Sequence, residues 1–369
     1  MDFKAVIALS LFLAGNVYSD NAVQVQPIPH PHQSNHDWFF EADLIYWHAE
    51  EDGLQFASKA EQLPNGEVHA KIQNIDTSWE PGFRAGVGYV FGHHDDWDLS
   101  LIYTYGYDKG SGHTKLTKPT QTITNFWHPF ALGPISSKIS AGWNMHLNVL
   151  DLEIGKDYFL SKKISMHPHM GLRGVLLNQD YHVDFDAIYP ILDVATFVPT
   201  NLLTSTEFKA DNDYKAMGIR AGSDLVWHLT KNWGISGSFS GALLFGRFIV
   251  NQFYIGATVG TVGGVPTLTP LTDFGADNYS KTRVNVDASL GIQWETEFEK
   301  WGHFLTLQLC YELSHWFNQN QLIEVTRMSI STPLTPGDTI INNQLGATLR
   351  PKHGDLGLQG VSFKARYDF

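Results

Sequence analysis

The chain holds a single cysteine, Cys310, in 369 residues. That excludes an intramolecular disulfide, so the fold is not held by a bridge framework. No stretch approaches the eighteen or so unbroken apolar residues of a membrane helix. Positive charge is scarce: 25 Lys and Arg against 38 Asp and Glu give a net charge of −13. A chain this acidic is a poor electrostatic partner for nucleic acid or anionic headgroups, and no nucleic-acid partner is expected. No Gly-rich loop follows a strand and opens a helix, and neither a cofactor nor a metal is expected.

What is present begins with one apolar run, "AVIALSLFLAG" from Ala5 to Gly15, preceded by Lys4 and followed by "NVYSD". Its length and the small residues near Ser19 mark residues 1–19 as a signal peptide cleaved after Ser19. Residues 20–36, rich in Pro, His and Gln, show no periodicity and read as a flexible polar leader. His30, His32 and His36 are taken as part of that linker and not as metal ligands.

From Asp37 a period of two sets in and keeps returning. Trp38, Phe40, Ala42, Leu44 and Tyr46 alternate with Glu41 and Asp43, and Phe83 to Phe91 repeats the rule around Arg84. Further copies run over 97–107, 164–173, 217–229, 233–245, 284–294, 305–313 and 361–369, with a weaker one over 144–154. These ten segments are separated by alternately short connections ("GHHDD", "SKK", "TKN", "FEKWG") and long ones. Short periplasmic turns and long extracellular loops are the signature of a transmembrane antiparallel β-barrel, expected over residues 37–369.

A sheet crosses lipid only if it closes, because an unpaired backbone group there costs several kcal/mol. The last strand, "VSFKARYDF", then puts Val361, Phe363 and Tyr367 toward hydrocarbon and Lys364 and Arg366 toward the interior. Phe369 is assigned to the interface and to an assembly signal. Trp97, Trp227 and Trp233 flank short turns and are assigned to an aromatic girdle. A secreted β-sandwich also alternates, but it needs no polar residues on the enclosed face of nearly every strand. Ten strands are strongly marked. Twelve to sixteen are allowed if segments such as Asn251 to Pro270 hide a further hairpin.

Four stretches, "WFFEADLIYWHAEEDGLQFA", "WEPGFRAGVGYVF", "DLEIGKDYFLSKKISMHPHMGLRG" and "GSFSGALLFGRF", resemble the Legionella-type major outer membrane protein family, which also has members in environmental chlamydiae and planctomycetes. The resemblance implies a Gram-negative outer-membrane location, passage through the barrel assembly machinery and a passive pore. It supplies no catalytic residues. Chlamydial major outer membrane proteins are cysteine-rich and cross-linked, and a chain with Cys310 alone departs from them.

If the register holds, Arg84, Asp98, Arg173, Arg220, Asp224, Asp287, Glu295, Glu312, Lys364 and Arg366 line the lumen, where charged rings tune the selectivity of a pore. Acids and bases could instead pair across so narrow a barrel and fill it, since eight strands leave room only for side chains. Barrel enzymes exist, yet the densest His and Asp cluster, His93 to Asp96, falls on a short turn away from the long loops. His167 and His169 are read as members of a lumen hydrogen-bond network. No nucleophile motif accompanies them, and an enzyme is not expected. The leading expectation is a passive channel for small hydrophilic solutes in outer-membrane lipid. A surface structural protein or adhesin acting through the long loops is the alternative, and a homo-oligomer is left open.

Overall fold

The computed structural model describes residues 38–91, 97–128, 135–192, 199–262, 265–298, 301–331 and 342–369. The segments expected to be a signal peptide and a polar leader, with the leader's three histidines, and the turn carrying His93 to Asp96 lie outside the described residues. In chain order the strands are β1 (Trp38–Glu51), β2 (Ala57–Gln62), β3 (Val68–Gln73), β4 (Asp76–Thr77), β5 (Trp79–Phe91), β6 (Trp97–Lys115), β7 (Gln121–Asn125) and β8 (Ile135–Lys156). They continue as β9 (Tyr158–Ser161), β10 (Ile164–Leu192), β11 (Pro199–His228), β12 (Trp233–Val262), β13 (Val265–Phe298), β14 (His303–Ser331) and β15 (Asn342–Asp368).

Ten of these close into one antiparallel barrel in the order β1, β5, β6, β8, β10, β11, β12, β13, β14, β15. The seam pairs β1 with β15, Phe40 opposite Tyr367 and Leu44 opposite Phe363. Strand closure is what removes the open edges that lipid forbids. The alternation sets the facing. Along β1, Trp38, Phe40, Leu44 and Tyr46 are half exposed or more, while Phe39, Glu41, Asp43 and Ile45 between them are buried. Leu290, at 66% exposed, and Phe363, at 43%, face outward as the sequence requires.

Trp38 and Phe40, with Trp97, Trp227 and Trp233, form an exposed aromatic belt beside the short turns. Tyr46 and Trp79, stacked at 5.6 Å, mark a second belt at the other edge of the apolar band. Trp38 to Tyr46 spans eight residues, about 20 Å of height for a strand tilted about 40°, close to the ~25 Å band of outer-membrane barrels.

The strands do not stop there. β10 to β15 run for 27 to 34 residues each, roughly three times the 9 to 11 that cross a bilayer. Much of what the sequence presents as long loops is therefore wall rising above the membrane. The segment Asn251 to Pro270 adds no strands of its own; it forms the tops of β12 and β13, paired as far as Val262 with Val265. A separate three-stranded sheet, ordered β3, β2, β7, comes from the β1–β5 and β6–β8 connections and packs at the upper mouth.

Candidate functional site: a charged chamber under an apolar lid

The ten residues assigned to the lumen all line one cavity of about 340 Å³ in the lower, membrane-level half of the barrel. Backbone alternation aims them there, and closure brings together groups that are remote in sequence. Arg84 on β5 reaches Asp43 on β1 at 2.6 Å and Glu312 on β14 at 3.3 Å. Arg173 on β10 forks onto Asp151 of β8 at 2.8 and 2.9 Å. Its other nitrogen donates to Asp287 on β13 at 2.7 Å and to Asn285. Such a planar fork suits paired carboxylates better than a lysine would.

Arg220 contacts Glu153 and donates to Ser240 at 2.9 Å. Lys364 meets Glu41 at 2.5 Å. Arg366 turns instead to Asp368 on its own strand, at 2.9 Å, and lies over the Phe39 ring at 3.7 Å. Asp98 holds His167 at 2.6 Å, and Glu295 sits 3.4 Å from His228. Asp224 lies 3.9 Å from His167. Asp151 and Glu153 belong to this chamber but escape a reading that treats β8 as weak. Their signal is present in "LDLEIG", where Leu150, Leu152 and Ile154 face outward.

The pairing is incomplete by count. Ten carboxylates line the chamber against five Arg and Lys side chains. Walls of low dielectric make an unbalanced negative field felt by any ion that enters.

Above the chamber the filling changes. Trp47, Leu147 and Trp316 form its ceiling, and beyond them a single apolar cluster takes in Trp143, Tyr181, Phe185, Phe208, Leu244 and Phe248. The mouth sheet completes it, with Phe56, Ile123 and Trp127 buried in the same cluster. Trp127 stacks on Phe208 at 4.7 Å and donates its indole N–H to the Gln55 carbonyl at 3.0 Å. On the outer side of that sheet Lys118 donates to Glu61 at 2.6 Å and Gln121 at 3.1 Å, which holds the Glu61 carboxyl below its ordinary range. A polar group set pins the junction: Asn212 donates to Gln179 at 2.7 Å and to the Gln319 carbonyl at 3.1 Å.

A closed ten-stranded barrel with an apolar outer band, aromatic belts and a charged interior defines an outer-membrane β-barrel. The chain belongs to the family of the Legionella pneumophila major outer membrane protein, whose family model matches residues 30–369. The location is thus the outer membrane. Among curated protein sequences there is no match. Among solved structures, the outer membrane protease OmpT from Escherichia coli is similar at 8% identity and TM-score 0.35, covering 90% of this chain and 97% of that one. The P. putida toluene transporter TodX is similar at 12% identity and TM-score 0.29, with 95% of both chains covered. A Pseudomonas aeruginosa FadL homologue is similar at 9% identity and TM-score 0.25, over 92% of this chain and 91% of that one.

Proposed function

We propose that the protein is a porin-like channel for small hydrophilic solutes, shut in this conformation by its own extracellular insert and selective for cations when open. The observation that carries the reading is the chamber itself. Replacing buried ion pairs by well-packed apolar groups is often neutral or stabilising, so ion pairs are no requirement of a stable barrel. A wall of Arg84, Arg173, Arg220 and an excess of carboxylates is useful where charged or hydrated solutes pass. The barrier to passage is the apolar filling, to which the barrel strands give Trp47, Trp143 and Trp316 while Phe56, Ile123 and Trp127 come from connecting segments. Such segments can move without breaking a ladder that faces lipid.

A second reading, a surface structural barrel without flux, is favoured by one feature: the upper half is packed with the side chains of a solid core. Planar-bilayer recording separates the two. Phe56→Ala with Trp127→Ala should raise the open probability over the unaltered protein, with a reversal potential of cation sign in a salt gradient. Ser289→Arg, on the chamber wall, should move that potential toward anions. No conductance in any of the three proteins would leave the structural reading standing.

A further inference from the structure

We infer that the chamber wall holds a binding site for one divalent cation of the zinc type, with His167, His169 and Asp224 as its ligands. One ring nitrogen from each histidine and a carboxylate oxygen of Asp224 lie within 4.8 Å of one another. The backbone register makes the cluster local. His167 sits directly opposite Asp224, and His169 opposite Gly222, where β10 pairs with β11.

The first argument is which nitrogen is available. Asp98, reaching across from β6, lies 2.6 Å from His167 Nε2; in the neutral imidazole with its proton on Nε2 the carboxylate accepts that N–H and Nδ1 keeps its lone pair. Nδ1 then faces Asp224 Oδ2 at 3.9 Å. Two acceptors turned toward each other beyond hydrogen-bond reach are an arrangement that a cation between them satisfies. A carboxylate behind a ligating imidazole is also the usual support of a histidine–metal bond, fixing tautomer and ring orientation.

The second argument is independent of the first. The His169 side chain is only 5% exposed, and its Nε2 has no hydrogen-bond partner among the described residues. The nearest acid oxygen, on Glu153, stands 4.0 Å away and that residue is already engaged by Arg220. A buried imidazole nitrogen without a partner is destabilising on its own account, and a metal ion is a partner for it.

The third is space. A Cβ at Gly155 would come within 2.5 Å of the His167 ring, and one at Gly222 within 2.6 Å of His169 Nε2. Glycine at these two positions of the neighbouring strands is what allows both imidazoles to lie flat against the wall. Two nitrogens and one carboxylate select a borderline ion such as Zn²⁺ over Ca²⁺ or Mg²⁺, which take oxygen ligands. Zinc bonds of about 2.1 Å at tetrahedral angles put donors about 3.4 Å apart, so the His167 to Asp224 gap closes by a small side-chain rotation. Three protein ligands leave a fourth position for water. The chamber's surplus of carboxylates over Arg and Lys favours a bound cation in the same direction.

The inference needs only the folded barrel and is independent of conduction. The test uses the full exported protein in detergent, with His30, His32, His36, His93 and His94 replaced by Ala so that leader and turn imidazoles cannot contribute. After chelator treatment, titration calorimetry with Zn²⁺ should give one site per chain. Co²⁺ as a probe should give the intense visible bands of a low-coordinate nitrogen and oxygen site. His169→Ala and Asp224→Asn, each checked for heat-modifiable folding, should weaken Zn²⁺ binding at least tenfold, while His315→Ala should leave it unchanged. Absence of a stoichiometric site in the background protein, a weak octahedral Co²⁺ spectrum, or unaltered affinity in both chamber variants would overturn the assignment.

Discussion

Below the upper aromatic belt the barrel encloses ion pairs; above it the same strands enclose tryptophan, phenylalanine and leucine. β10 shows the change within one strand. At membrane level Met170 and Leu172 face out, exposed, and His169 and Arg173 face in. Higher up, Val175, Leu177, Tyr181, Val183 and Phe185 face in, buried, while Asp180, Asp184 and Asp186 are exposed on the other face. β12 repeats it, with Ser236 and Ser240 inside below and Leu244, Phe248 and Val250 inside above. The phase of the alternation reverses because the outer solvent changes from hydrocarbon to water. Apolar side chains go to whichever side is drier, and above the membrane that side is the interior.

The contrast can be broken at its boundary. Trp316, 1% exposed, is a ceiling residue touching both regions. Trp316→Ala should cost about 3 to 5 kcal/mol, read as a lowered midpoint in urea unfolding from lipid or detergent, and should join the chamber to the space above it. A loss below about 1 kcal/mol would mean that the upper filling is not a core in the sense of a well-packed interior.

A sharper test of facing at membrane level is the pair Leu290→Arg and Ser289→Arg. Leu290 stands four residues from Trp294, which pairs with Trp233 of the lower belt, a height of about 10 Å and thus near the bilayer midplane. The first variant should lose roughly 2 to 4 kcal/mol, and the second should fold with little change. Equal losses would contradict the assigned register.

The smallest effect belongs to the lid's outer surface. The Glu61 carboxyl, lowered from 4.5 by its hydrogen bonds with Lys118 and Gln121, contributes at pH values above 4.5 and ceases to do so as pH falls through its lowered value. Glu61→Gln removes that contribution at neutral pH, and because the contact is exposed the loss of stability there should be small. The substitution should reduce the acid sensitivity of protease cleavage at the exposed Asn65–Gly66 tip; an unchanged acid profile would remove the contact from the account. The same tip should be cleavable on intact cells and the turn at Lys231 should not, which fixes the sidedness.

The membrane-level half is legible because lipid imposes one rule on every strand. Once Leu290 or Phe363 is turned outward, Ser289 and Lys364 must turn inward, and the lumen-facing set follows. The partners do not follow: Arg84 meets Glu312 only because β1 lies between β5 and β15 and β15 beside β14. Nor is the lid legible. "ASKAEQ" and "QTITN" are short, partly polar strands with no second face to bury until the barrel mouth supplies one. The reversed phase in residues 175 to 187 is visible in the sequence, but a reading that expects apolar residues outside takes it for loop.

The seam has a kinetic meaning. Phe369 donates its backbone N–H to the Trp38 carbonyl at 3.1 Å and stacks on Phe40 at 5.5 Å, so the first barrel strand synthesised waits for the last. Pairings of that sequence separation carry the highest loop-closure entropy and form slowly. Until they form, β1 and β15 each present a bare ladder edge, the template on which strands of other chains add. A ribosome that stops before β15 thus releases a chain whose sheet would keep two adhesive edges, at β1 and β14, with no strand left to shut the ring.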